Sequence, residues 1–237
     1  FDITLPEDMQ GHRLTERLLS DQSVREAGLY GVMGGQVNVT DGRFVYMRAP
    51  VTVDNTPLFE YTLMPTHMNK MFSPKELQQW EKVEGFSFMN GCQVMQIPSR
   101  TLRPLLSLET PMGRGRMTTL LFDVETDPGQ LSPLGDLVVE ARMIKLMLRE
   151  MARNECPSEQ YVRLGLPEPQ RLRVGHGDEC VELPSDEEIS AACVLNTEAG
   201  HRGVQYGGKG VPFMPFPKQF DQSHFPDNLR LRPDYPF

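Results

Sequence analysis

The most metal-like pattern in the chain is a run of three closely spaced side chains. His176, Asp178 and Cys180 alternate along residues 175–180, and all three are residue types that bind zinc and similar ions. The four cysteines of the chain are scattered, with no Cys-x-x-Cys pair, which disfavours both a zinc cluster and a disulfide framework. No strand is predicted ahead of residues 175–180 to fix their positions. The sequence therefore predicts no metal site.

A single histidine stands at a better place for contact with a ligand. His67 comes just after a predicted strand, and loop residues at strand ends often carry binding or catalysis. A structural or merely exposed histidine is the alternative interpretation, and the sequence leaves both open.

The elements predicted to position these residues are mostly short strands joined by tight turns. β-branched and aromatic residues predict strands at 27–33, 36–39, 43–48, 58–64, 92–97 and 117–124. Between the second and third of these, Asp41-Gly42 predicts a hairpin turn, because Asp-Gly tolerates positive φ. Ser73 and Glu76 form a capping-box pattern, which predicts a helix that ends near Gly85.

One longer helix is predicted after the strand at 117–124. Asp136 is a suitable N-cap, and the helix should run to about Arg153. Its apolar residues recur at steps of three and four, which predicts one face packed on a sheet. The members of this stripe are Leu137, Ala141, Ile144, Leu148 and Met151.

Composition limits the class of protein. The chain has 237 residues, 39% of them hydrophobic, which is enough for one sizeable core. No apolar run approaches the roughly 20 residues that span a bilayer, so no membrane span is expected. The net charge of −8 disfavours a nucleic-acid partner, because phosphate binding requires clustered Lys and Arg.

Three blocks of sequence carry a resemblance to a known family. Residues 34–50 read Gly-Gly-Gln-Val-Asn-Val-Thr-Asp-Gly-Arg-Phe-Val-Tyr-Met-Arg-Ala-Pro, residues 120–130 read Leu-Leu-Phe-Asp-Val-Glu-Thr-Asp-Pro-Gly-Gln, and residues 157–166 read Pro-Ser-Glu-Gln-Tyr-Val-Arg-Leu-Gly-Leu. In this order they resemble the C-terminal region of sulfatases, within the alkaline-phosphatase-like hydrolase superfamily. The chain departs from that pattern at Gln36, where the family branch has His. Residues 5–14 resemble the segment that closes a sulfatase catalytic domain, and a solvated linker is the alternative there.

The resemblance implies an α+β fold, a small antiparallel sheet packed against one long helix. It implies a sulfuric ester hydrolase whose C-terminal subdomain forms one wall of the substrate cleft and lends residues to substrate recognition. The candidates for that contact are Gln36, Asn38, Arg48 and His67, with Arg48 suited to pair with an anionic sugar substituent. The implied partners are a missing N-terminal catalytic domain and a sulfated small molecule or carbohydrate.

The reactive groups of a complete sulfatase are not expected in this chain. A complete family member uses calcium (Ca²⁺) and a formylglycine made by oxidation of Cys or Ser. Residues 96–100 copy most of that signature, but Gln96 has only carbon on its Cβ and offers no activatable nucleophile. At residues 175–180 the leading Asp of the family's metal block is replaced by Gly175. No catalytic residue and no cofactor are therefore predicted here, and the chain should be inactive alone.

Three regions are expected. Residues 1–26 would be a linker or the end of the missing catalytic domain, residues 27–166 the sulfatase-like subdomain, and residues 167–237 an irregular, Pro/Gly-rich tail. The tail holds 9 of the 20 prolines and 7 of the 20 glycines, which favours disorder or a loosely draped extension. Scattered thiols favour a cytoplasmic location, although a chain that opens on Phe1 looks like a piece of something longer. A phosphate or phosphonate ester hydrolase fragment and a free-standing binding module remain alternatives.

Overall fold

A computed structural model of the chain describes residues 19–20, 23, 25–52, 55–64, 66–67, 70–99, 116–174, 178–195 and 204–205. Within these residues the strands are β1 (Gly28–Gly31), β2 (Val37–Thr40), β3 (Phe44–Arg48), β4 (Phe59–Thr62), β5 (Glu81–Val83), β6 (Val94–Pro98), β7 (Arg116–Met117), β8 (Leu120–Asp123), β9 (Gln170–Val174), β10 (Asp178–Glu182) and β11 (Val204–Gln205). The helices are α1 (Leu137–Arg153), α2 (Ser158–Leu164) and α3 (Asp186–Ala191). The fold is mixed, with small antiparallel sheets and few helices in the described part.

The main sheet has four antiparallel strands in the order β1-β2-β3-β8. The predicted hairpin between β2 and β3 is confirmed: the Asp41 carboxylate accepts the backbone N–H groups of Arg43 at 3.0 Å and Phe44 at 2.7 Å. Gly42 adopts the positive φ of 96° that the turn requires. Local turn chemistry thus fixes the register of the two central strands.

Helix α1 crosses one face of this sheet and begins where the sequence predicts. The Asp136 carboxylate accepts the N–H groups of Val138 and Val139 at 2.9 and 3.1 Å, which satisfies donors that have no partner within the helix. Helix residues and inward-facing strand residues then form one apolar core. Its fully buried members include Val39, Tyr46, Leu121, Met143, Ile144, Met147 and Leu148. Of the predicted stripe, Leu137 at the first turn is exposed instead.

Replacing the cap should weaken this helix by a modest amount. We expect Asp136→Ala to lower the free energy of unfolding by about 1 kcal/mol, because two N–H groups lose their acceptor. Urea denaturation followed by circular dichroism measures the change. Glu187→Ala in α3 is the control, since Glu187 is exposed and the cost there should stay within about 0.5 kcal/mol. Equal effects at the two positions would contradict the capping role.

A second sheet has three strands in the order β4-β6-β5. All three come between β3 and β8 of the main sheet in the sequence. The predicted helix from Ser73 to near Gly85 was wrong: only a 3-10 turn at Glu76–Gln79 forms, and Glu81–Val83 is strand β5. The capping contact itself is present, with Ser73 N–H donating to the Glu76 carboxylate at 2.7 Å. Pairing of β5 with β6 outweighs the local helical preference, because it satisfies the backbone of residues that would otherwise continue the turn.

The expected irregular tail needs correction over residues 167–195. Strands β9 and β10 form an antiparallel hairpin, and α3 begins at a capping box in which Ser185 and Glu188 bond each other's backbone. Ile189 and Leu195 are buried in the main core. The Ser-x-x-Glu spacing was the signal that could have revealed this helix. Farther on, β11 pairs with β7.

Several expectations lie outside the described residues. These are the sulfatase-like segment at 5–14, the residues 175–177 of the metal-like run, and residues 206–237. In the part of the chain that the structure describes, no helix is both long enough and apolar enough to cross a membrane.

Candidate functional site

Arg48, predicted to pair with an anionic substituent, is built into the fold. Its side chain is buried and donates to three backbone carbonyls: those of Leu164 at 2.8 Å, Gly165 at 3.0 Å and Ala192 at 2.8 Å. These carbonyls lie at the end of α2 and just after α3. The guanidinium therefore joins β3 to two other elements of the fold.

A buried polar network continues from Arg48 into α1. The Tyr46 hydroxyl accepts from Arg48 at 3.0 Å and donates to the Glu140 carboxylate at 2.9 Å. Burial raises the pKa of Tyr46, so its hydroxyl keeps the proton that it donates. The Glu140 carboxylate also accepts the backbone N–H groups of Val194 and Leu195 at 3.0 and 3.1 Å. Glu140 is thus the anchor of the segment after α3.

Gln36 and Asn38 lie near the start of β2 with different environments. Gln36 donates its amide N–H to the carbonyl of Thr118. Asn38 is buried, and its Oδ1 makes no hydrogen bond in the described part of the chain. Side chains alternate along a strand, so Asn38 points away from the core that Val39 enters. Arg48 shares the core face with Tyr46, so the structure does not bring Asn38 and Arg48 to one site.

A second buried arginine holds the loop that precedes Gln36. Arg163 in α2 donates to the Gly35 carbonyl at 3.1 Å and to the Asn55 side chain at 2.8 Å. Asn55 in turn donates to the Gly34 carbonyl at 2.8 Å. The Gly34-Gly35 loop is therefore fixed from two sides.

An ion pair links the hairpin to strand β8. Arg43 Nη2 lies 2.8 Å from Asp123 Oδ2, and the hydrogen bond from Arg43 holds the pKa of Asp123 below its ordinary value. Since the folded-state pKa is lowered, the ion pair stabilises the fold above the unfolded pKa of about 3.9 and is lost as the pH falls through the folded value.

Acid titration of stability should show this pair. We expect Asp123→Asn to unfold at lower urea concentration than the original chain near neutral pH, with the difference shrinking as the pH drops below about 4. Urea midpoints across that pH range are the measurement. A difference that stays constant with pH would show that Asp123 acts by packing and not by charge.

His67 lies between two carboxylates, Glu60 and Glu76, that line a cleft. Its Nε2 lies 2.8 Å from Glu76 Oε1 and its Nδ1 lies 3.6 Å from Glu60 Oε2, so the ring stands between two carboxylates. The ring also packs on Phe72, with 4.1 Å between centroids. Hydrogen bonds from Ser73, followed by the bond from His67, lower the pKa of Glu76 to about 2. Glu76 is therefore ionised throughout the physiological range.

Sequence reasoning missed the two carboxylates that flank this histidine. Glu60 lies on β4 and Glu76 opens the 3-10 turn, and neither spacing points to the other before the sheet is formed. Ser99, just after β6, donates to the Glu60 carboxylate at 3.1 Å. The capping pattern at Ser73 and Glu76 was visible in the sequence, but it indicated only a helix start.

Metal and thiol chemistry have little support among the described side chains. In the described ranges, no group of three or more His, Cys, Asp or Glu residues is placed to hold a metal ion. Cys92, Cys156 and Cys193 are free thiols, and burial raises the pKa of Cys156 to about 12 and of Cys193 to about 11. Those two thiols are therefore poor nucleophiles near neutral pH.

Comparison of the chain with protein-family models, with curated proteins and with solved structures gave no match. The cleft lined by Glu60 and Glu76, on the second sheet, is the candidate functional site that emerges from the geometry.

Proposed function

We propose that this chain is the C-terminal part of a sulfatase-like sulfuric ester hydrolase. In this role it supplies one wall of the substrate cleft and has no activity alone. The observation that carries the proposal is that the first of the three sequence blocks resembling sulfatases contacts each of the other two, which lie far from it in the chain, through the exposed Arg43 and the buried Arg48 and Arg163.

The first block touches each of the other two. Arg43 of residues 34–50 bonds Asp123 of residues 120–130 at 2.8 Å. Arg48 of the first block donates to the Leu164 carbonyl of residues 157–166 at 2.8 Å. Chance similarities at three separate places would not be expected to contact one another in the fold. The contacts therefore support treating the three blocks as one structural unit.

The third block returns the contact. Arg163 donates to the Gly35 carbonyl at 3.1 Å, at the beginning of the first block. Gly165 ends α2 with φ of 60°, and a Cβ there would lie 2.6 Å from the Val51 side chain. A glycine is therefore required at this position by both conformation and space.

The calcium and formylglycine of a complete sulfatase do not fit the described residues. Gln96 lies on β6, where its amide donates to the Tyr61 hydroxyl at 2.7 Å, and it carries no oxidisable Cβ substituent. Metal-binding groups of three or more ligands are absent from the described ranges. The proposal therefore assigns both groups to a catalytic part that this chain does not include.

What this chain contributes under the proposal is recognition. Glu60 lines a cleft and His67 lies 3.6 Å from its carboxylate; the side chains of His67 and Glu60 are 17% and 18% exposed. Hydroxyl and amine substituents of a carbohydrate are the partners that such groups hold. Gln36 and Asn38 remain predicted contacts, whereas the donors of Arg48 are engaged by backbone carbonyls.

Reading the coding sequence upstream of Phe1 tests the proposal. We expect a Cys/Ser-x-Pro-Ser-Arg block and an Asp-His-Gly block in the same reading frame. A frame that starts immediately before Phe1 would contradict the proposal and favour a free-standing binding module. An upstream frame that keeps metal-binding blocks but lacks the Cys/Ser signature would favour a phosphate or phosphonate ester hydrolase instead.

A further inference from the structure

The main sheet ends on one side at β1, and this edge is exposed. Strand β1 (Gly28–Gly31) pairs with β2 on one side, and its other side pairs with no strand in the described part of the chain. Tyr30 is 47% exposed, and Val32 and Met33, which follow the strand, are 64% and 50% exposed. The edge of β1 therefore presents backbone N–H and C=O groups with which another extended strand can pair.

The other edges of the two larger sheets carry features that oppose strand addition. At β8 the Leu134 N–H donates to the Leu121 carbonyl at 2.7 Å, so a loop occupies that edge. Strand β5 carries the exposed charges of Glu81 and Lys82, and β4 carries Glu60. Charged side chains on an edge strand oppose pairing with a further strand. Among these four edges, as far as the structure describes them, β1 alone has neither a charge nor a covering loop.

The sequence around β1 is uncharged. Residues 27–40, which include β1, β2 and the turn between them, contain no Asp, Glu, Lys or Arg, although the whole chain has a net charge of −8. A contact through this segment buries no charge, so it avoids the large cost of taking an unpaired charge out of water. The matching partner is a second uncharged strand with an open edge, and β1 of another copy of this chain has both properties.

The order of residues in β1 is complementary to itself. In antiparallel pairing about a two-fold axis perpendicular to the sheet, the residue at the axis lies opposite its own copy, and its neighbours on either side lie opposite each other. With Tyr30 at the axis, Leu29 lies opposite Gly31 of the second copy, and Val32 lies opposite Gly28. Each large side chain meets a glycine, and the two tyrosines form an aromatic cross-strand pair.

Neighbouring registers lose this complementarity. Directly opposite residues point to the same face of a sheet, so the axis must pass through a residue and not between two. An axis at Leu29 would place the charged Glu26 opposite Val32. An axis at Gly31 would place Leu29 opposite Met33, two large side chains. The register centred on Tyr30 is therefore preferred.

Helix α1 leaves room for this pairing. It contacts β1, β2 and β3, so it lies over β2, the middle strand of the three. Strands in a sheet are about 4.8 Å apart, and the two β2 strands of the dimer would be separated by three such spacings. The two α1 helices would then lie roughly 14 Å apart, whereas packed helices need only about 8–10 Å between their axes. The helices therefore do not collide.

We propose that two copies of this chain form a two-fold dimer in which their β1 strands pair antiparallel, centred on Tyr30. The two four-stranded sheets then continue as one sheet across both copies, with both α1 helices on the same face. A two-fold contact of this kind closes on itself, so association stops at two copies. The dimer goes beyond the proposed function, and neither depends on the other.

Sedimentation velocity of the full 237-residue chain over a range of concentrations tests this inference. We expect a reversible equilibrium between monomer and dimer. Hydrogen exchange should show that the amides of residues 28–32 gain protection as the dimer forms, because they acquire acceptors in the second copy. A chain that stays monomeric up to about 1 mM would overturn the proposal. So would a dimer in which those amides are no better protected than in the monomer.

Two variants of opposite charge locate the axis. Tyr30→Lys and Tyr30→Glu should each weaken self-association at least about tenfold, since like charges directly opposite each other destabilise a strand pair. An equal mixture of the two variants should associate at least about tenfold more strongly than either alone, because an ammonium then lies opposite a carboxylate. A mixture that associates no better than its components would reject the register centred on Tyr30.

Val138→Lys is the matched control. Val138 lies on α1 and is 81% exposed, and this substitution adds the same charge as Tyr30→Lys at a place outside the proposed contact. It should leave association unaltered. Equal weakening by Val138→Lys and Tyr30→Lys would assign the effect to overall charge and reject the contact. The protection of residues 28–32 in the unaltered chain remains decisive if a variant fails to fold.

Discussion

Arg48→Met should lower the free energy of unfolding by about 3–5 kcal/mol, the largest effect we expect from a single substitution of a charged residue. Methionine has a similar reach but no donors. The carbonyls of Leu164, Gly165 and Ala192 would then lose the partner that satisfies them, in a region closed to water. Urea denaturation followed by fluorescence and by circular dichroism measures the loss.

A matched arginine on the surface provides the control. Arg153 pairs with Glu150 at 2.9 Å, but its side chain is 58% exposed. Arg153→Met should therefore cost less than about 1 kcal/mol. If Arg48→Met costs no more than Arg153→Met, Arg48 is not a buried connector, and its predicted contact with an anionic substituent regains support.

Glu140→Gln should cost about 1–3 kcal/mol and should loosen the segment after α3 before the rest of the fold. The Glu140 carboxylate accepts from Tyr46, Val194 and Leu195, and a glutamine would present N–H groups to some of these donors. Hydrogen exchange resolves the effect, because the amides of Val194 and Leu195 should lose protection more than those of α1.

The control is the same Glu→Gln substitution at Glu150, another position of α1. Glu150 lies on α1, and its carboxylate accepts from Arg153 at position i+3. Glu150→Gln should leave the protection of Val194 and Leu195 unaltered. Equal protection of those amides in Glu140→Gln and the original chain would show that the segment is held by the apolar contacts of Ile189 and Leu195 alone.

The elements predicted correctly are those with a local physical signal. The β2–β3 hairpin follows from Asp41-Gly42, and α1 follows from the cap at Asp136 and its apolar periodicity. Both signals act within a few residues, and the surrounding fold agrees with them. Local and tertiary preferences coincide at these places, which is why sequence patterns suffice there.

Predictions failed where distant pairing decided the outcome. Ser73 and Glu76 form their capping contact, yet β5 pairs with β6 and ends the turn after Gln79. Residues 167–195 were judged by their prolines and glycines, while Ile189 and Leu195 join a core built mostly from α1 and the main sheet. Strand β6, which pairs with β5, and the core that Ile189 and Leu195 join cannot be predicted from the local sequence of either segment.

The candidate site was only partly accessible from the sequence. The place of His67 after a strand predicts a ligand contact, and in the structure its ring lies between Glu60 and Glu76, which line a cleft. Glu60 reaches it from β4, seven positions earlier, and Glu76 from a turn nine positions later, so the cluster depends on the fold of the second sheet. For Arg48, residue type predicts a ligand contact, and the structure adds burial and bonds to distant carbonyls that no local pattern indicates.

The decisive experiment compares the 237-residue chain with the product of its full reading frame in the hydrolysis of an aryl sulfate with calcium present. We expect no turnover above background for the chain alone and calcium-dependent sulfate release by the longer product. Sulfate release by the chain alone would contradict the proposed function, as would a longer product that cleaves aryl phosphate but not aryl sulfate.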